Sequence, residues 1–250
     1  MKISLRNVSF SFIGKRIFDS FSADFENSQR PHIILGPSGS GKTTLLRLLG
    51  GLLKPQEGEI AFYGEEVQSK LECPRAAFIF QEPRLLPWLT ILENVQIPLE
   101  KDFRKTEAKD RARHFISLVG LEEKENAYPK ELSGGQAQRV SMARGFAWPA
   151  TLLFMDEPFQ SLDIPLKIHL MDLTLSLLQR EPRLFIGVTH DPREALYFGG
   201  RIIILGGKPG SGIVYDRVVD SVAEGWVNSS DVARELEREM ISALRDSYPP

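Results

Sequence analysis

The chain of 250 residues contains one cysteine, Cys73, so it cannot form an internal disulfide. That cysteine usage suits a reducing compartment, and we expect Cys73 to be a small buried apolar residue. No apolar run approaches the ~18 to 20 residues of a transmembrane helix, and the first ten residues lack the apolar segment of a signal peptide. We therefore expect a cytosolic protein, or one that reaches a membrane through a partner.

An excess of one charge is also lacking, because 31 basic residues face 33 acidic ones and the net charge is −2. Such a balance creates no field that would draw the chain onto nucleic acid. Apolar residues make up 42% of the chain, enough for a sizeable buried core. The composition therefore indicates a globular protein and excludes nucleic acid as an expected partner.

Strand-like and helix-like patterns divide the chain. Alternating apolar residues at 8–12, with runs at 17–25 and 59–63, predict an antiparallel β piece. Apolar runs separated by helical patterns predict an α/β fold with a mostly parallel sheet; they lie at 31–35, 76–80, 152–155, 184–188 and 201–205. We expect one domain over 1–220, with a helical subdomain inserted at about 85–147 and a short helical tail over 221–250.

A glycine-rich motif follows the first of these apolar runs, at 31–35. GPSGSGKT fits the pattern G-x-x-x-x-G-K-[ST] and lies between a predicted strand and a predicted helix. Its glycines let backbone N–H groups surround phosphates, Lys42 brings a positive charge to them, and Thr43 offers a hydroxyl to Mg²⁺. The residues expected to bind the nucleotide here are Gly36, Pro37, Ser38, Gly39, Ser40, Gly41, Lys42, Thr43 and Thr44. The alternative is a chance glycine-rich turn.

A pair of carboxylates ends the later segment TLLFMDEP. Four apolar residues precede Asp156 and Glu157, which places both carboxylates at the end of a predicted strand. Asp156 is positioned to hold Mg²⁺, and Glu157 to act as the general base on an attacking water. The alternative is a pair of solvated carboxylates.

A second segment with phosphate-binding chemistry is LSGGQ, where Ser133, Gly134 and Gly135 precede a predicted helix. A serine hydroxyl, two glycines and a helix N-terminus favour an anionic group. The alternative is a plain turn with a helix N-cap.

The order and spacing of these motifs resemble the ATP-binding cassette (ABC) ATPase family over roughly residues 1–215. The resemblance implies a P-loop NTPase fold, ATP and Mg²⁺, and a head-to-tail dimer of two copies. In that dimer Ser133, Gly134, Gly135 and Gln136 would contact the nucleotide held by the other copy. The sequence departs from the common pattern at Ala137, after LSGGQ, and in FQSLD, neither of which removes a phosphate or metal ligand.

Further roles follow from the resemblance. Gln81 corresponds to the glutamine that contacts Mg²⁺ and the attacking water, His190 to the histidine that senses the γ-phosphate, and Asp163 to the loop that faces the second copy. Phe12 corresponds to the aromatic residue that stacks on adenine. Its alternative is a core position on the face formed by Val8, Phe10 and Phe12.

The wording around the motifs is similar to the ATPases of nitrate/sulfonate/taurine-type bacterial importers, with importers of vitamin-precursor pyrimidines close to them. That likeness implies separate membrane permease subunits, a solute-binding protein and a peripheral location on the cytoplasmic face of the membrane. Four apolar residues after Gln81 would form either core or a groove for a permease helix: Leu85, Leu86, Trp88 and Leu89. A soluble ATPase of DNA repair or translation and a non-hydrolysing scaffold are the alternatives.

Overall fold

The computed structural model describes residues 1–27, 30–64, 70–71, 74–160, 162–208, 210, 212–220 and 231–247. Cys73 lies outside these residues. The strands are β1 (Lys2–Phe12), β2 (Lys15–Glu26), β3 (His32–Leu35), β4 (Glu57–Tyr63), β5 (Lys70–Leu71), β6 (Ala76–Ile79), β7 (Leu152–Asp156), β8 (Leu184–Val188), β9 (Gly200–Leu205) and β10 (Ile213–Val219). The α-helices are α1 (Lys42–Leu49), α2 (Ile91–Gln96), α3 (Lys105–Leu118), α4 (Gly134–Ala147), α5 (Ile164–Arg180), α6 (Pro192–Phe198) and α7 (Asp231–Ser247).

The larger sheet has the strand order β10-β9-β3-β8-β7-β6. Its strands are parallel except β10, which pairs antiparallel with β9 at one edge. Every residue of β3, β7 and β8 is buried, as expected for parallel strands that are covered on both faces. The mostly parallel sheet predicted from the sequence is confirmed, and its parallel strands end at one common edge.

The smaller sheet is antiparallel, with the order β2-β1-β4-β5. Its β1–β2 hairpin turns through Ile13 and Gly14, both at positive φ, the conformation that suits the right-handed twist of two-residue hairpins. The buried side of this sheet shares an apolar cluster with α1 and with one face of the larger sheet; Phe25, Leu48 and Phe154 represent the three layers. The hairpin also packs beside the start of α1, where Ile17 and Phe18 lie against Gly41.

Helices α2, α3 and α4 pack against one another between β6 and β7 in the chain. On α3, the helical stripe of Ala108, Ala112 and Phe115 is buried. Gly120 follows α3 at φ +65, the left-handed conformation of a C-terminal glycine. The buried residues of α2, α3 and α4 belong to the apolar cluster on the other face of the larger sheet.

The C-terminal part adds β10 and α7. The sequence did not predict β10, because an edge strand with mostly exposed residues carries little apolar signal. Helix α7 lies in the predicted tail and buries Ala233, Leu236 and Met240. None of the helices in the described ranges combines the length and apolar content needed to cross a bilayer.

Candidate active site

Four adjacent parallel strands bring the predicted site residues to one edge of the larger sheet. In the spatial order β3, β8, β7 and β6, they lead into the glycine-rich loop, His190, the Asp156–Glu157 pair and Gln81. Backbone bonds continue beyond the strand ends, since Glu157 N donates to Val188 O at 3.0 Å. Residues from four distant parts of the chain therefore meet at the place where α/β sheets commonly bind ligands.

The glycine-rich loop between β3 and α1, residues 36–44, is here called the phosphate loop. Gly41 is the N-cap of α1 and has φ +97. A Cβ on Gly41 would lie 2.6 Å from Ile17 Cγ2 and 2.9 Å from Phe18 Cζ. Both the backbone angle and the close packing of the β1–β2 hairpin therefore require glycine at this position.

Lys42 is folded over the phosphate loop. Its Nζ donates to Gly36 O at 2.8 Å and to Pro37 O at 3.1 Å, and the residue is buried. Burial lowers the pKa of Lys42, while the negative charges of Glu157 and Asp156 act to raise it. A desolvated ammonium group at a helix N-terminus is a strong attractor for phosphate oxygens.

Thr43 and Asp156 form a pair of oxygen ligands. Thr43 Oγ1 donates to Asp156 Oδ1 at 3.0 Å. Asp156 is only 8% exposed, so it is not a solvated carboxylate. Burial raises its pKa, opposed by the Thr43 hydrogen bond. A hydroxyl and a carboxylate fit Mg²⁺, which keeps several waters and takes few protein ligands beside substrate phosphates.

Glu157 has an unusual backbone conformation for a side-chain-bearing residue, with φ +47. Such conformations cost about 1–3 kcal/mol and occur mostly at functional sites. His190 Nδ1 lies 3.2 Å from Glu157 Oε2. An ionised carboxylate only accepts hydrogen bonds, so this contact is a hydrogen bond when Nδ1 carries the proton. The turn thus holds one oxygen of Glu157 against His190 and directs the carboxylate to the sheet edge.

Gln81 makes a contact that the sequence did not indicate. Its Nε2 donates to Gln160 Oε1 at 2.6 Å, which leaves the Gln81 carbonyl oxygen as its free acceptor. The departure from the family pattern in FQSLD includes Gln160. A single sequence, however, does not predict a contact between side chains that are 79 positions apart.

The segment after β6 is tied to α4 by side chains. Gln138 Nε2 donates to Phe80 O at 3.1 Å, and Arg144 donates to Pro83 O at 2.8 Å and to Arg84 O at 3.0 Å. These two residues on α4 were also not singled out from the sequence. Helix α4, which begins at Gly134, is therefore hydrogen-bonded to the segment on both sides of Gln81.

The segment from Ser133 to Gln136, here called the signature segment, starts α4. Ser133 is the N-cap, and Ser133 and Gln136 form a reciprocal capping box. A Cβ on Gly134 would meet nothing within 4 Å, and one on Gly135 only Leu162 Cδ2 at 3.4 Å. Among the described residues, no hydrogen bond joins this segment to the phosphate loop. The N-cap alternative describes its local geometry, but that geometry does not explain the two glycines.

Asp163 caps α5 by accepting from Leu166 N at 3.0 Å. The next residue, Ile164, is 66% exposed. Leu162, which precedes Asp163, adjoins the signature segment at Gly135. Asp163 thus has a structural role within the chain, beside a surface that carries an exposed apolar residue.

Phe12 is 42% exposed at the end of β1, whereas Val8 and Phe10 are buried. The alternative that placed Phe12 in the core is therefore wrong, because the strand continues past the edge of the packed layer. Its ring meets Phe10 edge-to-face at 4.9 Å. Its strand partner Lys15 has its Nζ 4.0 Å from the place of a Cβ on Gly39, so the end of the hairpin reaches the phosphate loop through the Lys15 side chain.

Comparisons with known proteins agree with this geometry. Residues 18–160 match the family described as ABC transporter. The chain is 41% identical over 177 residues to the aliphatic sulfonates import ATP-binding protein SsuB of Bacillus cereus, covering 71% of this chain and 69% of that protein.

Solved structures give the same result. The dimeric structure of MJ0796, a bacterial ABC transporter cassette, has a TM-score of 0.76 and 32% identity, covering 88% of this chain and 99% of that one. A post-hydrolysis state of the same cassette bound to ADP and Pi has a TM-score of 0.75 and 31% identity over the same shares.

Proposed function

The chain belongs to the ABC transporter family, and on that premise we propose that it is the ATP-hydrolysing subunit of an importer for a small solute. ATP binding and ATPase activity come with the family. The observation that carries the assignment of residues is the convergence of the phosphate loop, Asp156, Glu157, His190 and Gln81 at one sheet edge.

In the proposed site, the phosphate loop and Lys42 hold the nucleotide phosphates, and the exposed ring of Phe12 stacks on the base. Thr43, Asp156 and the carbonyl oxygen of Gln81 would hold Mg²⁺, which would neutralise phosphate charge. Glu157 takes the proton of the attacking water. His190 contacts the carboxylate of Glu157 and would sense the terminal phosphate.

A second copy of the chain completes each site in this proposal. The signature segment of one copy would cover the phosphates bound to the phosphate loop of the other. Open space at Gly134 supports this, because nothing within the described chain explains a glycine there. The exposed Ile164 beside Asp163 would lie in the same interface. A relative of 32% identity has been solved as a dimer.

Separate permease subunits would form the membrane pathway, with the chain bound peripherally on the cytoplasmic face. Trp88 is 70% exposed, and Leu85, Leu86 and Leu89 are only partly buried. An apolar surface of this kind suits a helix from a partner. Since the segment 80–84 is tied to α4, docking there would be felt at Gln81 and at the signature segment.

The proposed cargo is a small sulfonate-like solute delivered by a solute-binding protein, because the similar protein of Bacillus cereus is named for aliphatic sulfonates import. The test is a pull-down of tagged Glu157→Gln from native membranes with ATP, followed by mass spectrometry. A multi-span subunit recovered with the chain would support the importer, and its genomic or physical neighbour among solute receptors could then be assayed for sulfonate binding. Recovery of soluble partners alone would contradict the importer and favour a soluble ABC ATPase.

A further inference from the structure

A partly buried ion pair is hydrogen-bonded to the turn that carries His190. Lys167 Nζ on α5 is 2.7 Å from Glu194 Oε1 on α6, and their side chains are 17% and 7% exposed. Charges at this depth are unfavourable unless they are paired and hydrogen-bonded. The pair is therefore a specific connection between two helices.

The second oxygen of Glu194 reaches the turn that carries the histidine. Thr189 Oγ1 donates to Glu194 Oε2 at 2.5 Å, and the same hydroxyl accepts from Asp191 N at 3.1 Å. One hydroxyl thus bonds to Glu194 while holding the residues on both sides of His190. The position of this turn depends directly on where the Glu194 carboxylate lies.

The other end of the ion pair is connected to Asp163 through the backbone of α5. Lys167 is one helical turn after Asp163, whose backbone carbonyl accepts from Lys167 N at 2.9 Å. The position of Lys167 is therefore tied to Asp163 by the backbone of α5.

We propose that Lys167, Glu194 and Thr189 are positioning residues for His190, which couple its place in the site to the loop at Asp163 on the same chain. This rests on the proposed role of His190. A second copy that pressed on the loop at Asp163 would shift the start of α5, and the ion pair would transmit that shift to the histidine turn.

The test compares steady-state ATP hydrolysis, ATP affinity by calorimetry and melting temperature across variants of the full chain. Lys167→Met should lower kcat by about 10- to 100-fold, because a misplaced catalytic group costs that much, while KM and ATP affinity stay within about twofold. Lys167→Arg should retain most of kcat, since it keeps the charge. Arg193→Met is the matched control: it breaks the ion pair from α6 to Glu237, which does not touch Thr189, and should leave kcat unchanged.

A second pair of variants keeps the test independent of folding. Thr189→Val removes the hydroxyl with little change of shape and should lower kcat like Lys167→Met, whereas Thr189→Ser should restore it. If His190→Ala lowers kcat but neither Lys167→Met nor Thr189→Val does, the positioning role is overturned and the proposed site stands. If His190→Ala itself leaves kcat unchanged, the role proposed for His190 fails first, and this inference fails with it.

Discussion

The phosphate loop and the signature segment are both glycine-rich and both lead into a helix, yet they differ in what fixes their residues. In the phosphate loop, Gly41 is held at φ +97 with no space for a Cβ, and Lys42 is buried against loop carbonyls. In the signature segment, Gly134 has open space and Ser133 is exposed. The first segment is determined by contacts inside the chain, and the second is not.

That difference separates two kinds of glycine. A glycine that its own chain requires is needed for the fold, and its replacement is felt by a single copy. A glycine that its own chain does not require points to something outside the chain, since Gly within a helix is otherwise less favourable than Ala. Substitutions in the phosphate loop should therefore change the stability and ATP affinity of a single copy, whereas substitutions in the signature segment should change dimer formation.

The largest effect is expected for Glu157→Gln. This variant should trap a dimer in which the signature segment of one copy covers the phosphate loop of the other. Losing the general base should lower kcat by about 10² to 10⁴-fold while ATP still binds, so an ATP-bound dimer should accumulate. Scattering and steady-state hydrolysis measure both effects, with Glu122→Gln on the surface as the control. Turnover at the normal rate would remove Glu157 from its proposed role.

Lys42→Ala should impair only the phosphate loop and should therefore weaken ATP binding to a single copy. Losing hydrogen bonds from a charged donor costs about 1.5–3 kcal/mol, which corresponds to roughly a 10- to 100-fold loss of ATP affinity. Calorimetry on the single chain measures it, with the exposed Lys54→Ala as the control. Equal affinity in Lys42→Ala and the parent chain would contradict the phosphate-loop assignment.

Ser133→Arg should impair only the signature segment and should therefore weaken the contact between two copies. The larger side chain would overpack a closed interface and lower the free energy of dimerisation by about 1–3 kcal/mol. The ATP-dependent dimer should therefore be weaker, which is tested in the Glu157→Gln background. ATP binding to one copy should be unchanged, because Ser133 does not contact the phosphate loop. Ser117→Arg on exposed α3 is the control. An undiminished dimer would argue against the assignment in trans.

The smallest effect, and the most direct comparison, is on stability. Gly41→Ala should lower the free energy of unfolding by about 1–3 kcal/mol, because alanine is strained at positive φ and clashes there. Gly134→Ala should leave it unchanged or raise it by up to about 1 kcal/mol, while still impairing hydrolysis. Denaturant titration of the nucleotide-free chain gives both values, and equal destabilisation would erase the distinction.

Much of this fold could be predicted from the sequence, because buried parallel strands are continuous apolar runs and the site motifs lie at their ends. Edge strand β10 could not, since its exposed residues give no such run. Contacts such as Gln81 with Gln160, or Lys167 with Glu194, depend on how distant elements pack. Phe12 shows the same limit: strand alternation does not reveal where the packed layer ends.

The hydrogen-bonded ladder from β3 to β6 also has a consequence for amide exchange. Every residue of β3, β7 and β8 is buried and paired with neighbouring strands, so their amides should open only with the most global unfolding events. Glu157 and His190 lie within two residues of that slowest-exchanging region, whereas the signature segment lies at an exposed helix start. In the proposed dimer, each site would therefore combine catalytic groups that open only when the fold unfolds with a signature segment whose amides exchange through local opening.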